Sequence, residues 1–124
     1  MAAVLAGGDS FAQFCAPCHG RDGAGTGAVL APILVDRPPN LTLLSQMNGG
    51  RFPFEEVGAA LYSQEPHGQT LIAFQDGRMV AMRRPSQMPD WGVTFLGIDE
   101  TPAAVNARIA NLIVYLESIQ QALL

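Results

Sequence analysis

Five consecutive residues, Cys15-Ala16-Pro17-Cys18-His19, constrain this chain more than any other stretch. They hold both of its cysteines and one of its two histidines. C-x-x-C-H is the signature of covalent haem attachment: two thiols add across the two vinyl groups of the haem, and the adjacent imidazole reaches the iron. A chain built on this motif folds as an envelope around an apolar macrocycle. Three other readings stay open. Cys-Ala-Pro-Cys resembles a dithiol redox pair, but that chemistry expects the motif after a strand in a βαβ setting. Zinc needs four ligands, and His67 would have to join Cys15, Cys18 and His19. A plain disulfide is the third.

The chain has 124 residues, which fits a single domain over 1–124. A domain of that size buries roughly two thirds of the surface its unfolded form exposes. Hydrophobic residues make up 48% and charged residues 15%, a globular composition rather than a disordered one. The net charge of −4 argues against nucleic-acid binding. All seven basic residues are arginines, so any positive docking surface is built without lysine. No apolar run approaches the ~18 to 20 residues that span a bilayer. Met1 to Gly8 is apolar, but it lacks a basic leader region and is too short for a signal peptide. The compartment must therefore be inferred from chemistry.

Along the chain, Asp9 or Ser10 is expected to cap a helix that places Phe11, Phe14, Cys15 and Cys18 on one face. Gly20 to Gly27 reads as a loop. Pro32, Pro38 and Pro39 keep the next stretch extended and largely non-helical. Thr42 is expected to cap a short helix over Leu43 to Asn48, ended by Gly49-Gly50. Pro53 suits the first turn of a helix with Glu55 and Glu56 near its positive end and Phe54, Val57, Leu61 and Tyr62 turned inward. Thr70 to Arg83 reads as a hairpin centred on Asp76-Gly77. Pro85 to Gly97 reads as loop. Thr101 and Pro102 start the strongest helix, in which Val105, Ile109, Leu112, Leu116, Ile119 and Leu123 form one stripe.

A haem iron in an electron carrier takes six ligands, and His19 supplies one. A thioether sulfur is the common second ligand, because it is soft and favours ferrous iron. Of the five methionines, Met88 is expected to serve. It lies in a Pro- and Gly-bounded loop, Met88-Pro89-Asp90-Trp91-Gly92, that can approach the iron opposite His19. Met1 is terminal and Met47 reads as core packing. Met79 and Met82 sit in the hairpin, on opposite strand faces. His67 is either an alternative ligand or a polar loop residue. Trp91 reads as packing over the haem. Arg51 is either a propionate partner or a solvated charge. Arg83-Arg84 reads as an exposed pair or as a docking patch.

In this order the motifs resemble those of the class I c-type cytochromes, and more closely a bacterial periplasmic monohaem subgroup. Gly7 and Phe11 match the glycine and aromatic at which that family crosses its first and last helices. Leu112 and Tyr115 match their partners on the last helix. Cys18-His19-Gly20-Arg21-Asp22-Gly23-Ala24-Gly25 looks like C-H-G-x-D-G-x-G. Pro38-Pro39-Asn40-Leu41-Thr42 and Gly50-Arg51-Phe52-Pro53-Phe54 resemble the subgroup's middle, and Met88-Pro89-Asp90-Trp91-Gly92 its methionine loop. The segment between His67-Gly68 and Met88 is longer than the family's.

The resemblance implies a mainly α cytochrome c fold around one covalent haem c, with crossed N- and C-terminal helices and, here, a small β-hairpin near residues 70–83. It implies His19 and Met88 as axial ligands, Cys15 and Cys18 as thioether donors, and a proline carbonyl that orients His19, for which Pro39 is favoured over Pro32. It also implies a periplasmic electron carrier, not an enzyme, that docks transiently with redox proteins. Two other functions are compatible with the same motifs. One is a haem domain or subunit of a dehydrogenase or oxidase. The other is a haem protein whose sixth site opens to small ligands.

Overall fold

A computed structural model describes residues 1–25, 27–34, 38–62, 70–75, 78–83 and 88–121. It is mainly helical. Among the described residues there are five α-helices, α1 (Ala2–Ser10), α2 (Ala16–His19), α3 (Phe54–Tyr62), α4 (Trp91–Asp99) and α5 (Pro102–Ser118), with a π-helical turn between α1 and α2, three 3-10 turns between α2 and α3, and a hairpin between α3 and α4. None of the described helices is long and apolar enough to cross a membrane.

Gly7 in α1 and Phe11 in the turn that follows it set how the first and last helices meet. A Cβ on Gly7 would lie 2.0 Å from the Asn111 carbonyl oxygen and 2.8 Å from Tyr115 Cβ, so the two helix backbones touch there. One turn later Phe11, 1% exposed, sets its ring 5.2 Å from that of Tyr115. Ile109 and Leu112, each 1% exposed, fill the α5 side of the core. The predicted crossing through Gly7, Phe11, Leu112 and Tyr115 is therefore present. So is the α5 stripe: Val105, Ile109, Leu112 and Leu116 are buried and Ile119 is partly so, while Leu123 lies outside the described residues. Thr101 caps α5 as expected, its Oγ1 accepting from Ala104 N at 3.2 Å.

Several local expectations are corrected. Neither Asp9 nor Ser10 begins a helix, because α1 already starts at Ala2. Ser10 is buried, and its hydroxyl accepts a hydrogen bond from Arg108 instead of capping. From Phe11 to Cys15 the helix widens to a π-helix before tightening again in α2, a single-turn bulge of a kind frequent at functional sites. Asn40, not Thr42, caps the following turn. Its Oδ1 accepts from Thr42 N and from Thr42 Oγ1. The segment it starts is two 3-10 turns, Leu41–Leu43 and Gln46–Asn48, not one helix. A further 3-10 turn, Ala31–Ile33, takes in Pro32. Met47 is exposed rather than packed in the core.

In α3, Leu61 is buried and Val57 and Tyr62 pack on the core, but Phe54 is half exposed. Phe52, two residues earlier, takes the buried place and meets Phe54 edge-on. The stretch assigned to loop, Pro85 to Gly97, holds most of α4 (Trp91–Asp99). Asp90 caps it, accepting from Val93 N at 3.3 Å, and Phe95 is fully buried. The hairpin is present: β1 (Thr70–Gln75) pairs antiparallel with β2 (Arg78–Arg83), Gln75 opposite Arg78. Its turn, Asp76-Gly77, lies outside the described residues, as do His67 and Arg84.

The chain beyond α5 is held by Gln120. Its Nε2 donates to the carbonyls of Leu41 and Leu116, at 2.6 and 2.8 Å, and its Oε1 accepts from Ser45 N at 2.9 Å. One amide thus ties the end of α5 to the Asn40–Asn48 segment. Gln120→Ala removes three hydrogen bonds, and of the groups it leaves, the Leu116 carbonyl keeps a backbone partner, the Ile119 N–H. The expected loss of stability is about 2 kcal/mol, measured by urea unfolding.

Candidate functional site

Cys15 closes the π-helix, and Cys18 and His19 lie on α2, the next turn. Gly20, with φ 81°, ends that turn, and its N–H donates to the Ala16 carbonyl. The chain then folds back under the motif. Gly25 N donates to the His19 carbonyl at 2.7 Å, and Leu30 N donates to the Pro17 carbonyl at 2.9 Å. Gly23 is buried with φ 77°, and a Cβ there would lie 3.0 Å from Ile119 Cδ1. Both a left-handed backbone and a tight contact therefore require glycine at this point. Its carbonyl accepts from Leu41 N at 2.7 Å. The glycine-rich sequence is thus a return loop that fastens the motif to the Pro38–Leu41 stretch.

Both cysteines are free thiols and half-buried. Burial, assisted by the neighbouring Cys18, pushes the Cys15 thiol up to about 12. Cys15 is therefore protonated at neutral pH, which opposes thiolate redox chemistry. Burial is also the main effect on His19. It holds the imidazole below its usual value, and a contact with the Pro39 carbonyl only partly offsets it. His19 Nδ1 is buried and makes no hydrogen bond among the described residues. A neutral imidazole keeps one nitrogen lone pair for a metal. No group of three or more His, Cys, Asp or Glu side chains among the described residues is arranged to hold a metal ion. Cys15, Cys18 and His19 thus do not form a chelate by themselves.

Met88 and Trp91 both pack against the buried cluster that includes Phe11, Phe95 and Leu112, as does Cys15. The structure therefore brings Cys15, Met88 and Trp91 to the same core. Trp91 is an aromatic packing residue. It stacks on Phe95 with ring centroids 5.2 Å apart and meets Phe14 edge-on at 5.9 Å. Pro39 and Arg51 are exposed on their segments. Met79 and Met82 stand opposite Phe74 and Leu71 in the hairpin register.

One residue of this neighbourhood carried no sequence signal. Arg108, on α5, donates through Nε and Nη2 to the two carboxylate oxygens of Asp99, each at 2.8 Å. Its Nη1 donates to Ser10 Oγ at 2.8 Å. Its guanidinium carbon sits 5.4 Å from the centre of the Phe14 ring and 5.2 Å from that of Phe95. The Arg108 hydrogen bond, more than its charge, holds the Asp99 carboxyl below the ordinary value, and partial burial opposes the shift. The folded chain thus binds the Asp99 proton less tightly than the unfolded one. The pair stabilises above the ordinary Asp value, and that contribution is lost as pH falls through the lower folded value. The urea midpoint of the native chain should exceed that of Asp99→Asn by a constant amount from about pH 5 to 8, and the gap should close below about pH 4.

No protein-family model, curated protein or solved structure matches this chain.

Proposed function

We propose that the chain is a covalent haem protein. More particularly, we infer a monohaem electron carrier of the class I c-type cytochrome kind, working in the periplasm. The observation that carries the reading is the state of the motif. Two free cysteines and a histidine occupy consecutive turns of one helix, and the histidine's buried Nδ1 has no hydrogen-bond partner among the described residues. These residues fit the group that C-x-x-C-H attaches.

Bound haem c would supply the one-electron couple between ferric and ferrous iron. Cys15 and Cys18 would hold it through two thioether bonds, which form from free thiols rather than from a disulfide. His19 would ligate the iron through one ring nitrogen, and a hydrogen bond from the other to the Pro39 carbonyl would orient the ring and raise its basicity. Met88 offers a soft sulfur from the loop before α4, which favours the reduced state. Phe52, Leu61 and Phe95 keep water from the interior, and burial disfavours the extra positive charge of the oxidised state. Both effects raise the potential. Partner proteins of an electron carrier dock through small, weak interfaces.

The test is a pyridine haemochrome spectrum with intact mass, on chain produced beside a haem-attachment system. A mass greater by one haem and a thioether-type spectrum are expected. An unmodified mass with two free thiols would overturn the reading.

A further inference from the structure

We propose that Arg108 is a positioning residue that braces both walls of the site at once: the cysteine-bearing helix and the loop that presents Met88. The inference rests on the haem reading above and goes beyond its ligand set. All three guanidinium nitrogens of Arg108 take part in that task. One edge grips both oxygens of Asp99, at the end of α4. The remaining nitrogen donates to Ser10, at the end of α1. Its guanidinium carbon lies over the adjacent rings of Phe14 and Phe95, 5.4 and 5.2 Å from their centres.

Each contact leads to the site. Phe14 is the residue before Cys15, inside the π-helix that aims the thiols. Phe14 meets Phe95 at 5.2 Å and Trp91 at 5.9 Å. Trp91 is the first residue of α4, three positions after Met88, and it stacks on Phe95. Asp99 fixes the far end of the same helix. The two walls belong to elements more than 70 residues apart in sequence (88 − 15 = 73), and this side-chain cluster connects them. A planar, bidentate fork suits the role, and a lysine cannot reproduce it. Loss of the fork frees α4 to shift along α5, and Met88 moves with Trp91.

The experiment follows displacement of Met88 by imidazole in the ferric protein, with Gln120→Ala as a control destabilised at the opposite end of α5. Opening of the loop limits that reaction. Arg108→Gln and Asp99→Asn are each expected to raise the imidazole-binding rate about tenfold, with Gln120→Ala within about twofold of the native chain. Arg108→Lys is expected not to restore the native rate. Equal acceleration in Gln120→Ala, or none in Arg108→Gln and Asp99→Asn, overturns the brace. Trp91 is the only tryptophan, so its indole N–H resonance gives a second readout. It should shift in Asp99→Asn and stay in Gln120→Ala, and a resonance unmoved in Asp99→Asn also overturns the proposal. Haemochrome analysis separates the two claims: a chain without haem refutes the functional reading, and the indole resonance still decides the brace.

Discussion

Gly7→Ala is expected to cost the protein about 3 kcal/mol or more, at or beyond the upper end of the ~1–3 kcal/mol typical of overpacked sites. The added Cβ would stand 2.0 Å from the Asn111 carbonyl oxygen, 2.7 Å from its carbon and 2.8 Å from Tyr115 Cβ. The first two are backbone atoms inside α5, so no rotamer change relieves the clash. The helices must separate, and with them the Phe11, Ile109 and Leu112 contacts that make the core. Against a total stability of ~5–15 kcal/mol, that loss decides whether the chain folds at physiological temperature.

Two neighbouring substitutions sharpen the expectation. A Cβ on Gly8 meets only the Tyr115 ring, at 3.2 and 3.3 Å, which can give by a few tenths of an ångström. Gly97, within α4, has nothing within 4 Å. Alanine at either position gains up to ~1 kcal/mol of helix preference. Gly8→Ala should therefore be near neutral and Gly97→Ala stabilising. Urea unfolding of the three variants checks the set. A Gly7→Ala midpoint within error of Gly8→Ala would mean that α1 and α5 do not cross at Gly7.

The elements legible in the sequence are those whose signal is local or strictly periodic. The α5 stripe is a 3.6-residue pattern under a Thr-Pro cap, and one face of it is buried. The hairpin is marked by two apolar runs around Asp-Gly, and its register follows. The motif itself is five adjacent residues. By contrast, α4 hides in Trp91-Gly92-Val93-Thr94-Phe95-Leu96-Gly97, which is apolar on every side and punctuated by two glycines. Its only clear mark is the Asp90 cap. The exchange of Phe54 for Phe52 depends on where the chain turns into α3, which the pattern of apolar residues does not fix. Arg108 pairs with Asp99 and Ser10, and Gln120 with Leu41 and Ser45. Most of these partners are 75 to 98 residues apart, and nothing in local composition points from one to the other. Side chains that brace a site from a distance are therefore the ones a single sequence conceals.

Met88→Ala carries the largest expected functional change. On the proposed reading, Met88 contributes two effects that can be separated. As a half-buried side chain it packs on the core, and its truncation costs packing energy that any methionine at that place would lose. As a soft sulfur donor it favours the reduced state. Axial ligands command a span of ~0.8 V in haem proteins, and loss of the thioether should lower the potential by a part of it on the order of 0.2 V. The ferrous variant should also bind carbon monoxide rapidly, where the native chain does not. Met88→Leu separates the effects, because it keeps apolar volume and removes the sulfur. It should restore stability but neither the potential nor the resistance to carbon monoxide. Met79→Ala and Met82→Ala should leave both unchanged. They stand at register positions on β2 opposite Phe74 and Leu71. A Met88→Leu protein with native potential would move the ligand to the hairpin or to His67. The extra length between His67 and Met88 would then be part of the site rather than an insertion beside it.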